Sequence, residues 1–225
     1  MRTTLGLASF LSLPLFLSSC TSSAWAPPPL EQESEGTAKP RRYLFDAEFD
    51  LRGLPEAWQP VESGTSGMRA AWGQARGRSS DGALAVLRGR GFGAALHGLL
   101  SPEDAGDHGA SEVWLRLLGG ESTRGGGVLF WQEPQSHLYA VYDARDRQLR
   151  IGRRDEGRVV ILSSGLVREE TPGWRKLSVR WEHGEISARM GATVVRARMP
   201  TAAFRLGLCV LGDAETAFDD FVVWH

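Results

Sequence analysis

The chain has no asparagine, and of its 26 basic residues only Lys39 and Lys176 are lysine; isoleucine occurs three times, at Ile151, Ile161 and Ile186. Without Asn there is no Asn-x-Ser/Thr glycosylation acceptor. Arginine for lysine, no Asn and little Ile together carry the stamp of a GC-rich coding bias. The arginines are scattered and offset by acids rather than gathered into a phosphate-binding patch. Cysteine is nearly missing, with Cys20 and Cys209 alone, so no disulfide framework holds the fold. An excess of one charge is missing too. The 27 acidic residues leave a formal net charge of −1, which excludes a generic nucleic-acid binder. The five histidines (97, 108, 137, 183 and 225) form no H-x-H or H-E-x-x-H pair, so no zinc pattern is present.

What is present is glycine, 27 residues against 11 prolines, spread between short apolar runs of period two. Tyr43 to Asp50 alternates cleanly, with Phe45, Ala47 and Phe49 on one side and Asp46, Glu48 and Asp50 on the other. Further strands are expected at Met68–Trp72, Ala83–Arg88, Phe92–Leu99, Glu112–Leu118, Gly127–Gln132, His137–Asp143 and Gln148–Arg153. Then come Val159–Ser163, Arg175–Glu182, Glu185–Met190, Thr193–Met199, Arg205–Leu211 and Ala217–Trp224. Turn dipeptides separate them, among them Glu156-Gly157 and His183-Gly184. Only Ser101-Pro102-Glu103-Asp104 reads as a helix start. The pattern predicts an all-β domain over 43–225, built as two packed antiparallel sheets.

The N-terminus reads as an address. Arg2 supplies a positive n-region, and Leu5 to Leu17 is an apolar stretch too short for a confident membrane span. It ends in Leu17-Ser18-Ser19-Cys20, which resembles the lipobox of bacterial lipoproteins. The resemblance implies a signal peptide over 1–19 and a diacylglycerol anchor on Cys20. It also implies export to the cell envelope, with Thr21 suiting the outer membrane in a Gram-negative cell. Residues 21–42, with Pro27-Pro28-Pro29 and the polar Glu31 to Lys39, read as a tether.

A second resemblance covers most of 43–225. It rests on Gly126-Gly127-Val128-Leu129-Phe130-Trp131, Leu138 to Val141, Leu149 to Ile151 and Gly173-Trp174-Arg175-Lys176-Leu177-Ser178-Val179. Ile186 to Ala188, Gly191, Leu206 to Leu208 and the closing Ala217 to Val223 complete it. In this order they resemble the concanavalin A-like, laminin G-like jelly-roll sandwiches, particularly the group with the 3-keto-disaccharide hydrolase domains. The fold this implies is a two-sheet jelly roll. The functions it implies are glycan binding, carbohydrate cleavage, or a structural role toward another protein.

Several chemistries can be weighed on residues. Gly89-Arg90-Gly91-Phe92-Gly93-Ala94 matches a loose dinucleotide fingerprint, but no helix is expected after it to hold a pyrophosphate, so NAD is not expected. Glu48-Phe49-Asp50 begins the paired-carboxylate strand of a sandwich glycosidase, yet Gly53 stands where its last acid belongs. Asp46, Glu48, Asp219 and Asp220 are calcium candidates if the first and last strands pair; alternatively Asp219 and Asp220 serve an edge turn. Cys209, in an apolar run, reads as a buried small hydrophobe.

The strand at 127–132 is apolar on both sides, with Val128 and Phe130 on one and Leu129 and Trp131 on the other. If Val128 and Phe130 face the inter-sheet core, Trp131 faces outward. Alternation then suggests that Trp114, Arg116, Tyr142, Arg150 and Arg180 join it on one concave face, where flat rings beside guanidinium donors suit a sugar. The alternative is that the tryptophans are core. The expectation is an exported, lipid-anchored, non-catalytic glycan-binding sandwich, with calcium its one possible cofactor. The alternatives are a keto-disaccharide-type hydrolase or lyase, and a structural envelope lipoprotein.

Overall fold

The computed structural model describes residues 41–43, 57–64, 69–78, 83–91, 95–122, 125–168 and 173–225. Cys20, Asp46 and Glu48, and with them the signal, the tether up to residue 40 and the first predicted strand past Tyr43, lie outside the described residues; Arg41 and Arg42, expected to end the tether, are strand instead. Fifteen strands run in chain order: β1 (Arg41–Tyr43), β2 (Gln59–Ser63), β3 (Ala71–Arg76), β4 (Ala83–Arg88), β5 (Leu96–Asp104), β6 (Gly109–Gly119), β7 (Gly125–Glu133) and β8 (Ser136–Asp143). They continue with β9 (Gln148–Asp155), β10 (Arg158–Leu166), β11 (Arg175–Glu182), β12 (Glu185–Met190), β13 (Thr193–Arg198), β14 (Arg205–Leu211) and β15 (Glu215–Trp224). Among the described residues there is no helix.

The strands form two antiparallel sheets, a jelly-roll sandwich as the alternation predicts. One sheet has the order β13-β12-β11-β6-β15-β4-β3, with β1 added on β15; the other runs β10-β9-β8-β7-β14-β5-β2. The first and last strands do pair, Arg41 to Tyr43 lying opposite Val223 to Phe221. Val113, Leu115, Val128, Phe130, Leu138, Ile151, Leu177, Leu206, Leu208, Phe218 and Phe221 fill the space between the sheets. Each such side chain contributes about 1.5–3 kcal/mol by leaving water. Phe130 sits at the centre, edge-on to Trp181 at 5.2 Å and to Phe204 at 6.3 Å. The Trp181 indole N–H is satisfied by the Ala105 carbonyl at 2.7 Å, so the ring is buried without an orphaned donor.

Two hairpins show why their dipeptides are turn signals. Glu156-Gly157 and His183-Gly184 have positive φ at both residues, the conformation whose twist matches that of the flanking strands. The Ser101-Pro102 segment departs from expectation and belongs to β5. Ser101 Oγ donates to the Leu206 carbonyl at 2.9 Å, and the β5–β14 register is irregular there, where Pro102 has no N–H to offer. The glycine-rich 89–91 segment is also no nucleotide loop. Gly89 N–H donates to the Ala214 carbonyl at 2.7 Å, and the chain from Leu96 is strand, not helix.

Candidate functional site

Residues opposite one another on neighbouring strands share a face, so the registers lay out the outward side of the seven-stranded sheet. One row crosses β14, β7, β8 and β9 as Arg205, Trp131, His137 and Arg154. The next carries Gly207, Leu129, Tyr139 and Gly152 and ends at Ile161 on β10; the third carries Cys209, Gly127, Val141, Arg150 and Ser164. A fourth runs Leu211, Gly125, Asp143, Gln148 and Leu166. The first row spans about 14 Å across its four strands.

Glycine shapes this surface. A Cβ on Gly152 would collide with the Tyr139 ring, and one on Gly98 would come within 2.5 Å of Leu129 Cδ2. Missing Cβ atoms let large side chains lie flat against the sheet. Leu96, Leu100, Leu129, Trp131, Tyr139, Val141 and Cys209 therefore form a second apolar cluster, separate from the inter-sheet core. That is why the 127–132 strand is apolar on both sides. Trp131 is 8% exposed and stacks on His137 at 5.1 Å with 18° between the rings. The end of β2 closes on the same region: Ser63 Oγ donates to the Pro134 carbonyl at 2.6 Å, and a Cβ on Gly64 would lie 2.6 Å from the Arg154 guanidinium.

Burial sets the charge states. His137 is pushed down to about 4, mainly by burial and secondarily by Arg154, against a raising contact with the Glu133 carbonyl. At neutral pH its ring is uncharged, and Nδ1 faces that carbonyl at 3.4 Å. Tyr139 is pushed up to about 12 by burial, with Cys209 adding to it. Burial also drives the Cys209 thiol upward, so Cys209 packs as a small hydrophobe and is no nucleophile.

The guanidinium groups are fixed in place. Arg150 Nη1 donates to Asp143 at 2.8 Å and Nε to Gln148 at 3.0 Å, while Nη2 reaches Asp146. Arg205 donates to Gln59 Oε1 at 2.7 Å and to the Ser101 carbonyl at 3.1 Å. Arg154 Nη1 donates to the Gly157 carbonyl at 3.2 Å. Held this way, donors surrender little freedom when a ligand arrives. Among the described residues of the four rows on β14 and β7 to β10, Asp143 is the one carboxylate, and it is taken by Arg150; on β5, Asp104 continues the first row beyond Arg205.

The six predicted ligand residues do not share a face. Trp131 and Arg150 lie together on the outward side of the seven-stranded sheet. Tyr142 is a correction: it pairs with Gly126, on the Val128 side, and points between the sheets under the Arg175 guanidinium at 5.0 Å. Trp114, Arg116 and Arg180 are corrections too, because β6 and β11 belong to the other sheet. Alternation tells which residues of one strand share a side; it does not tell which sheet the strand joins. His137, Tyr139, Arg154 and Arg205 were missed. The alternating His137-x-Tyr139 beside Trp131 was the available signal, since a tight turn at Pro134-Gln135 sets their register.

The outward side of the eight-stranded sheet is charged. Lys176 pairs with Glu112 at 2.6 Å, and Ser178 Oγ donates to the same carboxylate at 2.9 Å. Arg180 pairs with Glu182 at 2.7 Å. The Arg78 guanidinium lies 4.2 Å over Trp114, and that of Arg116 lies 5.0 Å over Trp174. Asp219 and Asp220 sit at a bulge in β15, where Asp220 has φ of 49°. Asp219 accepts the N–H groups of Arg78 at 2.7 Å and Asp220 at 2.8 Å; Asp220 accepts Arg78 Nη2 at 2.8 Å. Asp220 thus holds a guanidinium and Asp219 two backbone N–H groups; Asp46 and Glu48, the other two calcium candidates, lie outside the described residues. No group of three His, Cys, Asp or Glu converges among the described residues.

At one end of the sandwich a cleft of about 420 Å³ opens beside Phe204, lined by Asp104, Asp107, Met199 and Thr201 among others. Asp104 opposes Arg205 in the backbone register, so the cleft adjoins the first row.

No family model matches the chain, and no curated protein matches it. Solved structures do. The carbohydrate-binding module CBM66 from Bacillus subtilis aligns at 16% identity with a TM-score of 0.59, over 75% of this chain and 96% of that one. Domain 4 of a GH43 extracellular arabinanase from Geobacillus stearothermophilus, solved with arabinotriose, aligns at 14% identity and a TM-score of 0.52, over 82% and 90%. A β-glucanase from Bacillus licheniformis aligns at 9% identity and 0.51, over 85% and 99%. At these identities the similarity establishes the fold. The jelly-roll, concanavalin A-like sandwich read from the sequence is the architecture observed.

Proposed function

We propose that the chain is a non-catalytic glycan-binding domain whose ligand lies on the outward side of the seven-stranded sheet. Its centre is Arg150, with Gln148 and Ser164 beside it and the Trp131–His137 row along one flank. The observation that carries this is a set of guanidinium groups held in fixed positions on one sheet face, in register with a buried Trp131–His137 pair. Sugar hydroxyls take the N–H donors of such guanidinium groups. A glycosidase needs two carboxylates flanking the bond; among the described residues Asp143 is committed to Arg150, and Asp104 continues the first row, six residues along the strands and about 20 Å away, too far to form such a pair. The solved neighbours that bind carbohydrate on this fold support the same reading.

On the same footing we propose that Cys20 carries a lipid and that residues 21–40 hold the domain away from the envelope membrane. Metabolic labelling with a fatty-acid probe tests this: label on the chain is expected, and label that persists in Cys20→Ser contradicts it. For the ligand, the full chain in detergent is applied to a glycan array. Binding to at least one glycan is expected, reduced at least tenfold by Arg150→Ala. No binding, or binding that ignores the substitution, contradicts the assignment.

A further inference from the structure

A sugar hydroxyl both donates and accepts hydrogen bonds, and the outward side of the seven-stranded sheet offers it mostly donors. Of the five N–H groups on a guanidinium, Arg205 spends two, on Gln59 and the Ser101 carbonyl, and Arg150 spends three, on Asp143, Asp146 and Gln148. The rest remain for a ligand. The acceptors nearby are taken, since Asp143 and Gln148 both serve Arg150. The two arginines lie four residues apart along the strands and three strands apart, about 20 Å. A single sugar ring, about as wide as a tyrosine ring, touches one of them and not the other.

Acceptors lie where the first row runs out. Asp104 sits opposite Arg205 and, with Asp107, lines the cleft of about 420 Å³ beside Phe204, a volume in the range of small-ligand sites. Both carboxylates are exposed, and neither has an ion pair or side-chain hydrogen bond among the described residues. The neighbouring Glu103 differs, facing His225 at 3.7 Å. Half-buried Met199 and Ala202 give the cleft an apolar side, and Thr201 adds a hydroxyl. Its two walls are tied together: Ala105 N–H donates to the Phe204 carbonyl at 2.7 Å, and the Ala105 carbonyl accepts the Trp181 indole N–H at 2.7 Å. A cleft formed in advance loses little freedom when it is filled.

We propose that this cleft is an end subsite of the ligand surface centred on Arg150, so that the ligand is an oligosaccharide chain of several rings and not a mono- or disaccharide. The inference rests on the glycan reading of that face. One ring sits in the cleft, its C–H side toward Met199 and Ala202 and its hydroxyls donating to Asp104 and Asp107. From there the chain passes Arg205 and reaches Arg150, where its oxygens accept N–H groups. Acceptors at one end and donors along the rest use both halves of hydroxyl chemistry. Contacts spread along one chain reinforce each other through effective concentration. Two uncommitted carboxylates also repel a ring that carries its own negative charge, so the ring held at this end is neutral or bears an amine.

Titration calorimetry of the full chain in detergent tests this with a length ladder, disaccharide to hexasaccharide, of a glycan recovered from the array. Affinity is expected to rise at least tenfold from the disaccharide to the hexasaccharide. Asp104→Ala combined with Asp107→Ala is expected to remove most of that gain, with an unchanged circular dichroism spectrum, and to leave the disaccharide within twofold of wild type. Binding that depends on Arg150 but has one affinity at every length overturns the subsite and leaves the glycan reading standing. So does a length gain that survives the double substitution. A hexasaccharide shortened during the titration, read by mass spectrometry, overturns it as well, because the cleft would then cut rather than hold. If no length binds, the glycan reading itself fails and the subsite with it.

Discussion

The two outward faces of the sandwich solve the problem of facing water in opposite ways. The eight-stranded sheet turns out carboxylates and basic side chains that neutralise one another: Glu112 with Lys176, Asp220 with Arg78, Glu182 with Arg180. Its outward tryptophans, Trp114 and Trp174, are roofed by guanidinium groups. The seven-stranded sheet turns out a second apolar cluster laid over glycines, with arginines held at its margins by neutral or acidic acceptors. Aromatic residues on an outer face therefore do not by themselves mark a site. What separates the two faces is that the rings of one are roofed by guanidinium groups, whereas those of the other lie in a buried apolar cluster with paired arginines at its margin.

The largest expected effect breaks that comparison through stability. Leu129→Ala, on the outward cluster, is expected to cost about 2–5 kcal/mol in urea unfolding, as a core deletion does. Leu118→Ala, on the other sheet at 41% exposure, is expected to stay within about 0.5 kcal/mol of wild type. Equal costs would mean the outward cluster is not a core.

Acid sharpens the contrast next. A histidine held at about 4 in the folded chain titrates near 6.5 when unfolded. Between those values the unfolded chain binds the extra proton, so stability is complete above pH 6.5 and falls as pH drops toward 4. The loss amounts to about 3 kcal/mol at most. Urea midpoints at pH 7 and 4.5 read it: His137→Gln is expected to flatten the slope relative to wild type, and the exposed His183→Gln to leave it unchanged. A wild-type slope in the His137 variant contradicts the assignment. The smallest effect belongs to the charged face. Arg180 and Glu182 are both over two-fifths exposed, and Arg180→Ala is expected to change stability by less than about 1 kcal/mol.

Much of the fold is legible in alternation and turn chemistry. The strands at Ala83–Arg88, Arg175–Glu182, Glu185–Met190 and Arg205–Leu211 stand as expected, since period two and a glycine turn are local facts. β2 is not legible, because Pro60 hides an edge strand whose N–H groups are only partly needed. Ser101-Pro102 misleads for a related reason: a capping residue before proline looks the same whether a helix or an irregular strand follows. The candidate site is legible in part. That Trp131 faces away from Phe130 follows from alternation. That Tyr142 turns inward, and that Trp114, Arg116 and Arg180 belong to the opposite sheet, depends on hairpin register and sheet membership, which are long-range. The contacts of Asp219 and Asp220 with Arg78 are not legible either, since Arg78 is distant in sequence from both.

The assignment of ligand binding to one face is tested most directly by a matched pair of arginines, Arg150 on the seven-stranded sheet and Arg116 on the eight-stranded one. Titration calorimetry of the full chain with a glycan recovered from the array compares Arg150→Ala and Arg116→Ala with wild type. The account predicts at least a tenfold loss of affinity for Arg150→Ala and wild-type affinity for Arg116→Ala. The reverse pattern, or two equal losses, would contradict it.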